Sequence, residues 1–314
     1  MLQPGIVGVI IYASVLVILC VGFSLIHMIE KFPNFAHSAY SSIGVLIVFS
    51  FTRLWGFNPY LAWPIALLLG GALGVILYIL IVRPMQRQGR DETVMAFAMF
   101  ALSYILLSIL STYSYWFMIN FGYTTNWFLL RRFDYRWMGY PGVFYAAPLT
   151  CFTVVVSIHL FLTRSKFGIA LRATAEDPGL AITVGINTFR VHIIVWFLAG
   201  AISALAGAII PLWMPTNVDY ADELLMSVIA GSVLGGLDNI YGSMLGGFLV
   251  AFSQRILPSV LKDFLGMWVA QYDTMVPMIV IIGGLLISPE GITSLMEGEN
   301  SPLKKIITLV RRIG

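Results

Sequence analysis

Nine apolar runs, most of them near the length that crosses hydrocarbon as a helix, constrain this chain before any motif is read. They fall at Ile6–Leu25, Ala36–Phe51, Leu61–Val82, Thr93–Leu110, Val143–Leu162, Val191–Leu212, Leu224–Leu234, Gly242–Ile256 and Met267–Ser288. Only 11% of the 314 residues are charged and 59% are hydrophobic, against about 25% charged in a soluble domain. That leaves too little polar surface to coat a water-soluble particle. Backbone groups in lipid must be satisfied within their own segment, so the runs are expected as helices. The fold class is all-α: a polytopic membrane protein of about eight to ten transmembrane or re-entrant helices, in one domain over residues 1–314. The run Leu224–Leu234 is short and bounded by Gly231, Gly235 and Gly236, which fits a half-helix or a tilted span. Ala36–Phe51 follows Pro33 and Asn34, which fits a broken or re-entrant element. Met1–Gly5 has no basic residue, so the first run is expected as a retained span rather than a cleaved signal.

Orientation follows from Lys and Arg in short loops. Arg83, Arg87 and Arg90 mark one loop, and Arg164, Lys166, Arg172 and Arg190 mark the interior loop Thr163–Arg190. Lys304, Lys305, Arg311 and Arg312 mark the tail, residues 289–314. All three are expected in the cytoplasm. Pro215–Glu223 carries Asp219, Asp222 and Glu223 and suits the outside, as a solvated face or a contact for an external protein. Ser111–Gly142 also falls outside, although it holds Arg131, Arg132 and Arg136; its many aromatics predict an interfacial cap. Gly70/Gly74, Ser203/Gly207, Gly231/Gly235 and Gly242/Gly246 are spaced four apart, the spacing that lets helix backbones approach closely in lipid.

The interior loop is too polar to span and too patterned for a linker. Gly168–Glu176 predicts a short helix with Arg172 and Glu176 on one face, as an ion pair or as paired contacts. Asp177 then caps a second short helix, Pro178–Val184, that starts on Pro178. Gly185 suits a left-handed stop, and Asn187 caps the next span. Two readings fit such a pair of helices: an amphipathic linker resting on headgroups, or a surface on which another protein docks.

These residues resemble a family. GIALRATAEDPGLAITVGIN (Gly168–Asn187), followed by the small-residue span IIVWFLAGAISALAGAI, is similar to the membrane permeases of branched-chain amino acid ABC importers. NFAHSAYSSIG (Asn34–Gly44) resembles the family's Asn-Phe-Ala-His-Gly segment. GSVLGGLDNIYGSMLGGFLV (Gly231–Val250) resembles its Gly-Gly-Leu-Gly-Ser stretch, and SPEGI (Ser288–Ile292) its final Arg-Pro-x-Gly. The chain departs from the pattern at Ser38, Asp238, Asn239, Tyr241 and Ser288. The resemblance implies a cytoplasmic coupling loop, residues 163–190, that seats in a groove of an ATPase and uses Arg172, Ala173, Glu176, Asp177, Ala181, Gly185 and Ile186. It implies a translocation path for branched-chain amino acids or a related small polar solute, such as urea or a short amide. Asn34, Phe35 and His37 are assigned to that path because polar groups at membrane depth are often functional; the alternative for His37 is a side chain hydrogen-bonded between helices or sitting in the interface. It also implies partners: two ATPase subunits, a second homologous permease and an extracytoplasmic solute-binding protein, in a cell membrane.

Absences fit this picture. No G-x-x-x-x-G-K-[ST] phosphate loop occurs, so ATP hydrolysis is expected on a separate chain and no cofactor is called for. His27, His37, His159 and His192 show no metal-ligand spacing, and no nucleophilic triad is legible. With no basic run, nucleic acid is not expected as a partner. Cys20 and Cys151 lie in apolar runs and read as small buried residues. Glu30 and Lys31 read as a local ion pair at a membrane edge, Arg255 as a side chain snorkelling to headgroups, and His192 as interfacial. Two rivals remain: a secondary transporter or channel for a small solute, and a membrane-embedded enzyme. The first needs an embedded acid or base for its coupling ion, and span centres hold almost no carboxylates.

Overall fold

The computed structural model describes residues 4–266 and 275–287. Twelve α-helices occur among them: α1 (Pro4–Glu30), α2 (His37–Trp55), α3 (Trp63–Leu77), α4 (Arg83–Arg87), α5 (Glu92–Phe121), α6 (Val143–Arg164), α7 (Lys166–Glu176), α8 (Pro178–Thr183), α9 (Thr188–Trp213), α10 (Tyr220–Gly235), α11 (Ile240–Leu265) and α12 (Met275–Ile287). A π-helical turn, Tyr78–Val82, joins α3 to α4. Six helical stretches are long and apolar enough to cross a bilayer: Gly5–Glu30, Pro59–Arg87, Glu92–Phe121, Val143–Arg164, Thr188–Trp213 and Ile240–Lys262. The shorter α2, α10 and α12 occupy the other three apolar runs. Residues 267–274 of the last run, the segment 288–292 and the basic tail lie outside the described residues.

α1 and α9 run antiparallel through the centre of the bundle and are mostly buried, while α5 and α6 keep long apolar faces outward. Small residues set the spacing, as their four-residue repeats predict. A Cβ on Gly44 of α2 would collide with the Ala204 carbonyl of α9, and one on Gly207 of α9 with the Ser41 carbonyl of α2. Gly70 and Gly74 of α3 press on the Gly200 and Trp196 carbonyls further along α9. Gly231 and Gly235 of α10 meet Gly247 and Gly242 of α11 in the same way.

One end of the bundle carries α4, α7 and α8. The other carries the cap predicted for Ser111–Gly142, although its first third simply prolongs α5 to Phe121. The rest is pinned to α9 by Leu130 N–H to the Pro211 carbonyl, 2.7 Å, and to the segment just after α9 by a bridge between Phe128 and Thr216. A two-residue hairpin, β1 (Arg136–Trp137) and β2 (Tyr140–Pro141), closes it; Met138 and Gly139 both take positive φ, as a type I′ turn requires. Asp134 accepts from the Tyr60 hydroxyl at 2.7 Å and from Val143 N–H at 3.0 Å, tying cap to bundle. Two cap-end arginines are stacked: Arg131 over Trp213 at 4.4 Å, and Arg53 over Tyr123 and Phe133, both at 5.4 Å. Ring stacking stabilises these two cations, while Arg132 and Arg136 are exposed. Arg255 is half-buried, with its guanidinium 4.1 Å over the Tyr12 ring and Nη2 3.6 Å from Met214 Sδ at the cap end of α9.

Candidate functional site

The interior loop folds as its caps predict, with small shifts. Ser165 accepts from Gly168 N–H at 2.9 Å, so α7 starts at Lys166 rather than Gly168. Asp177 Oδ1 accepts from the amides of Gly179 and Leu180 at 2.8 and 3.0 Å, capping α8. α8 ends at Thr183, with Val184 as its C-cap. Gly185 takes φ +84° and its N–H donates to the Ile182 carbonyl, while Ile186 N–H reaches back to the Ala181 carbonyl, both at 3.0 Å. This pair of bonds is a Schellman stop. Asn187 accepts from Arg190 N–H at 3.1 Å and opens α9.

The structure thereby separates the seven residues of the loop assignment. Asp177, Ala181, Gly185 and Ile186 build the turns, with Ala181 buried and Ala173 half-buried. Arg172 and Glu176 are exposed on one side of α7 and form no ion pair with each other among the described residues. Leu171 and Thr174 turn inward against the bundle. α8 leaves Leu180, Ile182 and Val184 at least 60% exposed, an apolar knob that the bundle does not cover.

The second assigned group lies at a break between α1 and α2. α1 ends at Glu30, and residues 31–36 return without helix until α2 begins at His37. His37 Nε2 lies 3.0 Å from the Leu19 carbonyl of α1 and 3.0 Å from Ser203 Oγ of α9. Leu19 is roughly 16 Å along α1 from Glu30 at 1.5 Å per residue, so α2 opens near mid-depth of a bilayer about 30 Å thick. The expected broken element is therefore present. Asn34 Oδ1 accepts from Ala36 N–H at 3.1 Å and stiffens the turn. Phe35 packs edge-on against Phe100 of α5, with ring centres 5.6 Å apart. Asn34 and His37 are each 1% exposed, so in this conformation they sit in packed protein, and the three residues meet three different helices.

A polar cluster at the loop end was not legible as such. Glu30 and Lys31, expected to pair, turn apart: Lys31 takes φ +60° and its Nζ reaches Asp238 at 3.0 Å. The Glu30 side chain is fully buried and accepts from His192 Nδ1 at 2.7 Å, Trp196 Nε1 at 2.7 Å and Gln86 Nε2. The Tyr78 ring, in the π turn, stacks parallel on His192 at 5.3 Å. His192 is thus a buried donor rather than an interfacial group. The available signal was its spacing, four residues from Trp196 on one face of α9. Among the described residues no His, Cys, Asp or Glu trio gathers to hold a metal ion.

A family model described as the permease component of the branched-chain amino acid transport system matches residues 5–285. The chain belongs to this permease family. It is therefore a multi-pass membrane transport subunit and not an enzyme, and in such systems the ATPase is a separate chain. A probable branched-chain amino acid transport permease protein, LivH, of Methanocaldococcus jannaschii is 31% identical to this permease over 286 residues, covering 91% of this chain and 90% of that one. The high-affinity LivH permease protein of Escherichia coli K12 is 28% identical over 152 residues, 48% of this chain and 47% of its own. A chain of PsaBC from Streptococcus pneumoniae, solved in complex with Fab, covers 92% of this permease at 13% identity with a TM-score of 0.49.

Proposed function

We propose that this permease forms one half of a translocation path for branched-chain amino acids or a related small polar solute, driven by ATPases that seat on α7 and α8. The observation that carries the reading is the capped pair itself. Asp177 and the Gly185–Ile186 stop hold α8 as a rigid turn, and its uncovered Leu180, Ile182 and Val184 project beside the charges of Arg172 and Glu176. An apolar knob flanked by fixed charges is what a protein groove can grip and orient. α7 leads from α6 and α8 leads into α9, so force applied there enters the central helix directly.

On this reading the loop end faces the cytoplasm and the cap faces outward, consistent with Arg83, Arg87, Arg90, Arg164, Lys166, Arg172 and Arg190 clustering at the loop end. Asn34, Phe35 and His37 stand at the mid-depth break, where irregular backbone is tolerated only inside protein or along a cavity. We assign them to the narrow point of the path. A second homologous permease supplies the other wall, two ATPases the energy and an external binding protein the solute.

The test is uptake of labelled L-leucine by the assembled transporter carrying Arg172→Ala and Glu176→Ala together. ATP-driven uptake is expected to be lost while the chain still inserts in the membrane. Unchanged uptake sinks the docking assignment.

A further inference from the structure

α5 carries two outward strips that differ in chemistry. Val94, Ile105, Ile109 and Trp116 recur at helical spacing and form an exposed apolar strip suited to lipid. Phe100, Tyr104, Ser108, Ser111 and Tyr115 form a second strip, about a quarter-turn round the helix at 3.6 residues per turn. Tyr104 and Tyr115 are 56% and 61% exposed. The hydroxyls of Tyr104, Ser108 and Tyr115 have no hydrogen-bond partner among the described residues.

Depth makes this second strip unsuited to lipid. α5 starts at Glu92 at the loop end, so Tyr104 and Ser108 stand about 18 and 24 Å along it at 1.5 Å per residue. A hydrocarbon core about 30 Å thick encloses both, and Tyr104 lies well inside the interfacial belts where tyrosine is ordinarily found. Acyl chains offer a free hydroxyl no acceptor. Close helix packing in lipid uses small residues, as along α9, whereas two protruding tyrosines hold a neighbouring backbone away.

Contacts along the strip fix what it faces. The Phe100 ring packs edge-on against Phe35 at 5.6 Å and against Tyr104 at 5.1 Å. A row of three rings therefore runs from the break before α2 onto α5, and Phe35 is the half-buried member of the break while Asn34 and His37 are buried. Toward the cap, Ser111 Oγ donates to Asp219 Oδ1 at 3.4 Å, beside the start of α10. The hydroxyl strip thus borders the irregular backbone at mid-depth, and irregular backbone at that depth requires protein or water around it.

We propose that this face of α5 is a water-wetted wall of the translocation path, with the row Phe35–Phe100–Tyr104 at its narrow point and the Ser108 hydroxyl lining it on the cap side. The assignment rests on the import reading above and moves the lining onto a helix that holds none of Asn34, Phe35 and His37.

The test compares neighbours at one depth on the two strips. Single cysteines replace Ser108 or Ile109 in the assembled transporter, in a permease carrying Cys20→Ala and Cys151→Ser. The probe is the trimethylammonium-ethyl methanethiosulfonate cation, which attacks thiolates in water. Ser108→Cys is expected to react about tenfold faster than Ile109→Cys or more, because a fixed charge is excluded from hydrocarbon by at least that factor. Tyr104→Cys against Ile105→Cys should repeat the contrast one turn deeper. A Ser108→Cys rate no higher than that of Ile109→Cys overturns the proposal, since the face would then be covered by lipid or by a packed neighbour. After treatment, Ser108→Cys is expected to lose ATP-driven uptake of L-leucine, and Ile109→Cys treated alike to keep it. Full uptake by the labelled Ser108→Cys transporter also overturns the proposal. A parent transporter that imports no L-leucine defeats the import reading, and the labelling rates still decide the wetted face separately.

Discussion

Glu30 and His192, far apart in sequence, meet at 2.7 Å between the ends of α1 and α9. The carboxylate also takes the indole N–H of Trp196 and the amide of Gln86, so one fully buried side chain joins α1, α4 and α9 at the end that carries α7 and α8. Replacing Glu30 with Ala strands these buried donors, each costing about 1–3 kcal/mol when left unmade. Glu30→Ala is expected to lower stability by about 3 kcal/mol or more, and Glu30→Gln by less, because it keeps an acceptor oxygen. Thermal unfolding of the purified permease in detergent measures both. A double-mutant cycle with His192→Ala should return a coupling of about 1–3 kcal/mol.

Lys31, the next residue, predicts the opposite. Its partner Asp238 is 61% exposed, and exposed ion pairs contribute about 0–1 kcal/mol. Lys31→Ala should shift the unfolding temperature little, in clear contrast to Glu30→Ala in the same assay.

Asp177 supplies two cap bonds to an exposed helix of six residues. Asp177→Ala is expected to cost about 0.5–2 kcal/mol locally, whereas Asp177→Asn, an equally good cap, should be near neutral. The global unfolding temperature should barely move. Amide exchange over residues 178–186 should rise in the Ala variant, and ATP-driven uptake should fall with it.

Gly207→Leu and Gly44→Ala force carbon into the carbonyls of the facing helix, since the ideal Cβ positions overlap Ser41 and Ala204 backbone. Overpacking of this kind costs about 1–3 kcal/mol, and more where backbone rather than a side chain must yield. Lower yield of detergent-stable protein in fluorescence-detected gel filtration is the expected result. Gly5→Ala, where nothing lies within 4 Å, is the matched control.

What the sequence disclosed follows from what its signals depend on. Helix runs, caps and stops are local physics, so Asp177, Gly185 and Asn187 could be assigned one by one and agree with the structure. Small-residue spacing likewise announced close packing, though not which helices would meet. The Glu30 cluster was hidden because its members come from residues 30, 78, 86, 192 and 196, and only the fold decides that Glu30 turns inward while Lys31 turns away. A cavity of about 390 Å³ at the cap end was hidden for the same reason: the acidic loop was visible, but not that Asn126 and Trp127 would line one groove together with Asp219. His37 illustrates a third limit. Its identity marked it as notable, and burial against Leu19 and Ser203 shows a side chain that ties three helices together in this conformation.

The glycine contacts along α9 have a mechanical consequence. With α3 pressed on the Trp196 and Gly200 carbonyls and α2 on α9 at Ala204 and Gly207, both at backbone distance, no compressible layer of side chains separates α9 from either. They therefore share the stiffness of a single beam about 39 Å long, the length of 26 residues at 1.5 Å each. A push on one end of such a beam is not absorbed by rotamer changes along the way; it arrives at the far end as tilt. Because α8 is joined to one end and the cap is pinned to the other, a small swing at the first should displace the second without any relay of side chains between them.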